Sequence, residues 1–219
     1  MKNEIASSWN KNAKEWINVI TEGQIASRKF TNPAILEALI KHRGKKILDL
    51  GCGEGWLTRE LSKNGKLAVG IDGTEALIKK ARQLGNENFY HLSYEDIIAK
   101  KSIPEAPYDL AAFNFCLYQK EETPVLLKEV KKALTPKGQI VIQTLHPFFL
   151  KASELPYKNQ WINDAWKGLP GNFTDGHPWY AQTFEGWSDT FRASGLQVAE
   201  IKEVSNDKGD LLSVIFSVN

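Results

Sequence analysis

Ile47-Leu48-Asp49-Leu50-Gly51-Cys52-Gly53-Glu54-Gly55 is the stretch on which the fold turns. An apolar run holding one small acid gives way to three alternate glycines. That pattern reads as a buried strand turning tightly into a helix, with backbone amides free to face a ligand. It looks like a nucleotide-type cofactor loop, although a plain strand-to-helix connection would use the same residues. Spacing narrows the cofactor. A dinucleotide fingerprint Gly-x-Gly-x-x-Gly puts its third glycine at position 56, which is Trp56, and the Walker lysine is absent.

Downstream, Lys66-Leu67-Ala68-Val69-Gly70-Ile71-Asp72 is a second apolar strand, ending in an acid about twenty residues past the glycines. A carboxylate at that tip can accept both hydroxyls of a ribose. The competing reading makes Asp72 a helix cap, but Thr74 stands nearby for that role. Residues 74–84 then form a helix, with Ala76, Leu77, Ile78 and Ala81 at helical spacing.

The rest of the chain alternates strands and helices, which predicts a parallel sheet covered on both faces. Residues 88–94 and 108–115 read as the third and fourth strands. A helix over 122–134 carries Val125, Leu126, Val130 and Ala133 on one stripe. Thr135-Pro136-Lys137-Gly138 is a turn, and 139–145 the fifth strand. Two further strands, 196–204 and 211–218, are joined by a loop short enough to make them antiparallel neighbours.

An acid on the first strand ahead of Gly-x-Gly-x-Gly, followed by Asp72, resembles the class I methyltransferases that depend on S-adenosylmethionine (SAM). The resemblance runs from about residue 45 to 218. It implies an α/β, Rossmann-like seven-stranded sheet of order 3-2-1-4-5-7-6, with strand 7 antiparallel and helices on both faces. It also implies SAM as cofactor, with Gly51 and Gly53 letting the backbone approach its methionine part and Asp49 organising the loop. Asp72 and the adjacent Gly73 fall at the ribose. Tyr94 and Glu95 fall where the family contacts adenine, with Tyr94 either lying on the ring or packing in the core. Asn114 lies where the fourth strand meets the cofactor, Asp109 is structural, and Pro136-x-Gly138 matches a turn of the family. Ser8-Trp9 to Trp16 resembles the opening of small-molecule methyltransferases, whose N-terminal helix folds across the cofactor. Trp9 and Trp16 share a helical face that either caps SAM or packs on the fold.

Ligands of open α/β sheets sit over the carboxyl ends of the strands where strand order reverses. His146 follows such an end, so its imidazole is a candidate catalytic base, or else an ordinary turn residue beside Pro147. Residues 147–183 form a long connection with no clear element of their own but many aromatic residues. Disorder is a poor fit to so much apolar area. This segment reads as a lid, with Trp179, Tyr180 and His177 as candidate substrate contacts, or as a satellite core. Residues 1–44 form a helical cap, whose second helix spans about 33–41 with Asn32 as cap and Pro33 in its first position.

The 219 residues, 42% of them hydrophobic, fit a single domain with these additions around a core over 45–146 and 184–219. A net charge of +2 gives no basic footprint for nucleic acid. Two cysteines, Cys52 and Cys116, make no disulfide framework, and no apolar run approaches the length of a membrane span, so the chain reads as cytoplasmic. Neither metal-ligand spacing nor a nucleophile elbow is present. The expected activity is methyl transfer to a small molecule with an apolar or ring-shaped body. The alternatives are a tRNA or protein methyltransferase, a non-catalytic SAM-binding module and, less well fitted, an NAD enzyme. Oligomeric state, homo-oligomer included, stays open.

Overall fold

The computed structural model describes residues 2–219. Seven strands form one sheet: β1 (Lys46–Leu50), β2 (Leu67–Asp72), β3 (Asn88–His91), β4 (Tyr108–Asn114), β5 (Leu134–Leu145), β8 (Val198–Ser205) and β9 (Leu211–Val218). Their order is β3-β2-β1-β4-β5-β9-β8, with β9 antiparallel to both of its neighbours and the other pairings parallel. This is the expected order and the expected antiparallel strand. Strand order reverses between β1 and β4, so a crevice opens over the carboxyl ends of those strands.

Alternation along the strands explains why helices cover both faces. Leu48, Leu50, Ala111, Phe113, Ile140 and Ile142 pack into one core with α6 (Glu122–Lys132) and α8 (Phe184–Ala193). The residues between them, Ile47, Leu110, Ala112 and Val141, enter a second core. That core includes Ile35 and Leu39 of α2 (Arg28–Lys41) and Leu57 and Leu61 of α3 (Trp56–Lys63). Period-two side chains that are apolar on both sides need cover on both sides.

Several boundaries differ from the sequence expectation. The third strand stops at His91, because Ser93 caps α5 (Tyr94–Ile98) with a reciprocal capping box to Asp96. The Pro136 turn is a bulge inside β5: its pairing with β4 jumps from Tyr108↔Leu134 to Leu110↔Gln139. The last two-strand unit begins at Val198 rather than at 196. Helix α2 starts at Arg28, five residues earlier than Pro33 implies, and contains that proline. Its first turn is held from outside, where the Gln143 amide donates to the Thr31 carbonyl at 3.1 Å.

The aromatic connection has elements after all: α7 (Phe149–Ala152) and a two-stranded hairpin of β6 (Gln160–Ile162) and β7 (Trp179–Ala181). Helix α1 (Lys2–Thr21) is clamped to it. Ser8 Oγ donates to Asp175 O at 2.6 Å, and Trp166 Nε1 donates back to Ser8 Oγ at 2.8 Å. Asn12 exchanges two hydrogen bonds with the Thr174 backbone, and Asn172 N donates to Glu15 at 2.6 Å. Helix and insertion thus form one cap over the crevice. The remaining helix, α4 (Glu75–Leu84), follows β2. Among the described residues no helix is long and apolar enough to cross a membrane.

Candidate functional site

A cavity of about 1210 Å³ lies between the carboxyl ends of the strands and the cap. The glycine loop forms its floor. Gly51 is at φ +68, and a Cβ there would come within 2.7 Å of Tyr94 Oη and 2.8 Å of Cys116 Cβ, so only glycine fits. Gly53, at φ +59, differs: a Cβ would meet only Trp16 Nε1, at 3.6 Å, and would point into open cavity. The amides of Gly51, Cys52, Gly53 and Gly55 are not the free donors the sequence suggests. Gly51 N and Cys52 N both donate to Ile71 O, and Gly55 N donates to Cys52 O. The glycines contribute close approach.

Three buried acids surround the loop. Asp49 accepts from Thr58 Oγ at 2.7 Å, and burial pushes its carboxyl up to about 7. Asp72 accepts from Gly53 N at 2.9 Å on one oxygen and from Thr74 N at 2.7 Å on the other. Burial raises its pKa against those two hydrogen bonds. Asp72 is therefore both loop tie and turn acceptor, and each oxygen keeps a lone pair for a ligand hydroxyl. Glu54 pairs with Arg59 at 3.3 Å and is also raised by burial.

All nine sequence-derived cofactor candidates line this cavity. Asp49, Gly51, Gly53 and Trp16 do so at the loop, and Asp72 and Gly73 at the end of β2. Tyr94 and Glu95 line it from the start of α5, and Asn114 from the end of β4. Tyr94 Oη and Asn114 Oδ1 are buried without a hydrogen-bond partner, as is Thr31 Oγ. Buried polar atoms of this kind ordinarily have partners, so these three mark where a polar ligand belongs.

The substrate-side candidates fare differently. Trp179 lines the cavity; Tyr180 and His177 do not. Tyr180 packs on Trp161, with the Lys120 ammonium 5.6 Å from its ring centre. His177 is buried behind the wall, against Tyr118 and Trp166, which do line the cavity. Its Nδ1 donates to Pro178 O at 3.0 Å, and burial lowers its pKa. His146 does not reach the crevice. It is fully buried off the cavity, with Nε2 donating to Glu203 at 2.7 Å and Nδ1 accepting from Phe148 N at 3.2 Å. Both ring nitrogens are occupied by the fold, which agrees with the turn-residue reading and goes against the catalytic one.

Sequence reasoning missed Arg28, whose guanidinium lies in the cavity wall, 5.1 Å from the Trp56 ring centre and 5.8 Å from that of Trp16. It was hidden because Pro33 pointed to a later helix start. It also missed Tyr118 and Trp166, set by the loop after β4 and by the insertion.

Residues 24–201 match the family model described as a methyltransferase domain. This chain belongs to that methyltransferase domain family. An uncharacterised methyltransferase of Schizosaccharomyces pombe is 29% identical to it over 164 residues, 73% of this chain and 62% of the yeast protein. A ubiquinone biosynthesis O-methyltransferase of Idiomarina loihiensis is 31% identical over 134 residues, 57% of this chain and 54% of that protein. The matches thus span about half to three-fifths of these curated relatives. The methyltransferase fold recurs in a DhpI–SAM–HEP complex, with a TM-score of 0.69 at 17% identity, covering 99% of this chain and 96% of that one. A Burkholderia thailandensis 1,6-didemethyltoxoflavin-N1-methyltransferase, with its substrate and S-adenosylhomocysteine bound, gives 0.67 at 17% identity, covering 99% and 88%.

Proposed function

We propose that this methyltransferase domain binds SAM over the glycine loop and transfers its methyl group to a small molecule held under the aromatic cap. The observation that carries the reading is the convergence of Gly53, Asp72 and the unpartnered Asn114 Oδ1 on one cavity, from the ends of three different strands. SAM supplies an electrophilic methyl with its leaving group built in, which leaves the protein to align, desolvate and neutralise.

The residues present fit that cofactor. The Asp72 oxygens have lone pairs for the ribose hydroxyls, and Tyr94 Oη and Asn114 Oδ1 are orphaned polar atoms at the cavity floor. Arg28, sandwiched by two tryptophans, offers a fixed positive charge to a carboxylate. Trp16 lies over Gly53, where the backbone leaves room. A cavity of about 1210 Å³ exceeds the usual size of a single-ligand site, so it has space for an acceptor beside the cofactor. Trp179 and its neighbours give that remaining space an aromatic wall, which suits an acceptor with an apolar or ring-shaped body.

Calorimetric titration of SAM and its demethylated product S-adenosylhomocysteine into the wild type and Asp72→Ala tests the reading. Micromolar binding lost in the variant is the expected result, and no binding to the wild type would overturn it. An acceptor screen with radiolabelled methyl then separates an enzyme from a SAM-binding module. Labelling of bulk tRNA or protein in preference to small molecules would favour the macromolecular alternative.

A further inference from the structure

Building on the methyltransferase reading, we infer that the acceptor half of the cavity is made for a weakly basic nitrogen nucleophile, an arylamine or ring nitrogen that is unprotonated at neutral pH and attacks through its own lone pair, rather than for a hydroxyl that needs a protein base.

The first observation is the chemistry of the inner wall. Among the described residues none of the four histidines lines the cavity. Burial holds the Cys116 thiol at about 12 and pushes the Tyr94 and Tyr118 hydroxyls well up, so none of them is an anion near neutral pH. The charged residues of the acceptor half are Asp164 and Lys167, both exposed at the rim, and Asp164 already accepts from Trp166 N at 2.9 Å. Asp49 alone of the lining groups titrates near neutrality, and its Oδ2 already accepts from Thr58 Oγ1 beneath the glycine loop. A hydroxyl acceptor therefore finds no free base on the aromatic side, whereas a weakly basic aryl or ring nitrogen needs none before attack.

The second observation is the field. The cofactor half is lined by four acids, Asp49, Glu54, Asp72 and Glu95, the first three raised by burial, against Arg28. The acceptor half is walled by rings, among them Trp9, Tyr118, Phe149, Trp161 and Trp179. Aromatic faces attract a cation, and an anion stripped of water against them is disfavoured. Such a site tolerates positive charge from the start of the reaction to its end. The nitrogen lone pair forms the new C–N bond as the methyl–sulfur bond breaks. The bonding pair stays on sulfur as a neutral thioether, and the positive charge passes to nitrogen. Where that nitrogen carries a proton, the proton leaves afterwards to water.

The test is binding, read by calorimetry on the full chain. S-adenosylhomocysteine is titrated first; then the loaded protein is titrated with trimethylanilinium, its uncharged near-isostere cumyl alcohol, and benzoate. The expected result is that trimethylanilinium binds about tenfold more tightly than cumyl alcohol, with benzoate weakest. Trp179→Leu, or Phe149→Leu should the first variant fail to fold, is expected to shrink that ratio. Equal or tighter binding of cumyl alcohol or benzoate, or no probe binding to the loaded chain, would overturn the inference while leaving the cofactor reading standing. Failure of S-adenosylhomocysteine to bind would bring down both.

Discussion

The Gly53 amide donates to Asp72 Oδ2 at 2.9 Å, which makes the glycine loop after β1 and the acid ending β2 one hydrogen-bonded unit. The acid that the proposed function assigns to the ribose also fixes the loop beside it. A change at Asp72 therefore acts on binding and on the apo fold together. Asp72→Ala leaves the Gly53 and Thr74 amides unpaired and is expected to cost about 1–3 kcal/mol in a urea melt, besides abolishing SAM binding. Unchanged apo stability would show that water replaces the carboxylate at no cost.

Stability should depend on pH through Asp49. Its native carboxyl lies at about 7, above its ordinary value of 3.8, so the folded state holds a proton that the unfolded state has released. The resulting stabilisation is complete below about pH 4 and is lost as pH rises towards 7. Glu54 and Asp72, also raised, act in the same direction. Urea melts of the apo protein at pH 5 and pH 8 should differ by a few kcal/mol, lower at pH 8, and Asp49→Asn should shrink that difference. SAM binding should release protons near neutral pH, visible as a buffer-dependent binding enthalpy.

Gly51→Ala and Gly53→Ala should part company. The first forces a Cβ against Tyr94 and Cys116 at positive φ and is expected to destabilise the fold by about 1–3 kcal/mol. The second has room for a methyl and should cost only the strain of its φ, about 1 kcal/mol, while lowering SAM affinity more than stability. Paired thermal melts and titrations would separate the two.

Asn12→Ala removes both hydrogen bonds to Thr174 and should loosen the cap by about 1–2 kcal/mol. Hydrogen exchange is expected to quicken around 172–175 while the sheet amides stay protected. Uniformly faster exchange would mean that the cap and core open together.

His146→Ala should lower stability without weakening SAM binding, because the ring ties the end of β5 to Glu203 and to the Phe148 amide. Glu203 is half exposed, so water can take over its side of that hydrogen bond and keeps the loss small. Lost SAM affinity in a folded variant would place His146 nearer the cofactor than its burial implies.

The strands, the glycine loop and the place of Asp72 were legible in the residues themselves, because period-two burial and a positive-φ turn leave local signatures in residue type, whereas the sheet order followed only from the family resemblance. For His146 the sequence left a catalytic and a turn reading open, because the residue after a strand can turn either way, and only the packing of β8 against β9 brings Glu203 to it. Arg28 was invisible for a related reason. Pro33 is a local helix-start signal, yet the helix begins at Arg28, where backbone bonds from residues 28–31 to 25–27 form its first turn and Gln143, 112 residues away in sequence, adds a bond to Thr31 O. The aromatic insertion had a composition but no period, so its hairpin emerges only in contact with the core, where Tyr180 N donates to Tyr118 O at 2.8 Å. The sequence by itself thus determined the scaffold and the cofactor end of the cavity, whose signals lie within single strand–turn–helix units. The tertiary structure alone decided which aromatic side chains wall the rest of the cavity, because those positions are set by contacts between segments far apart in the chain.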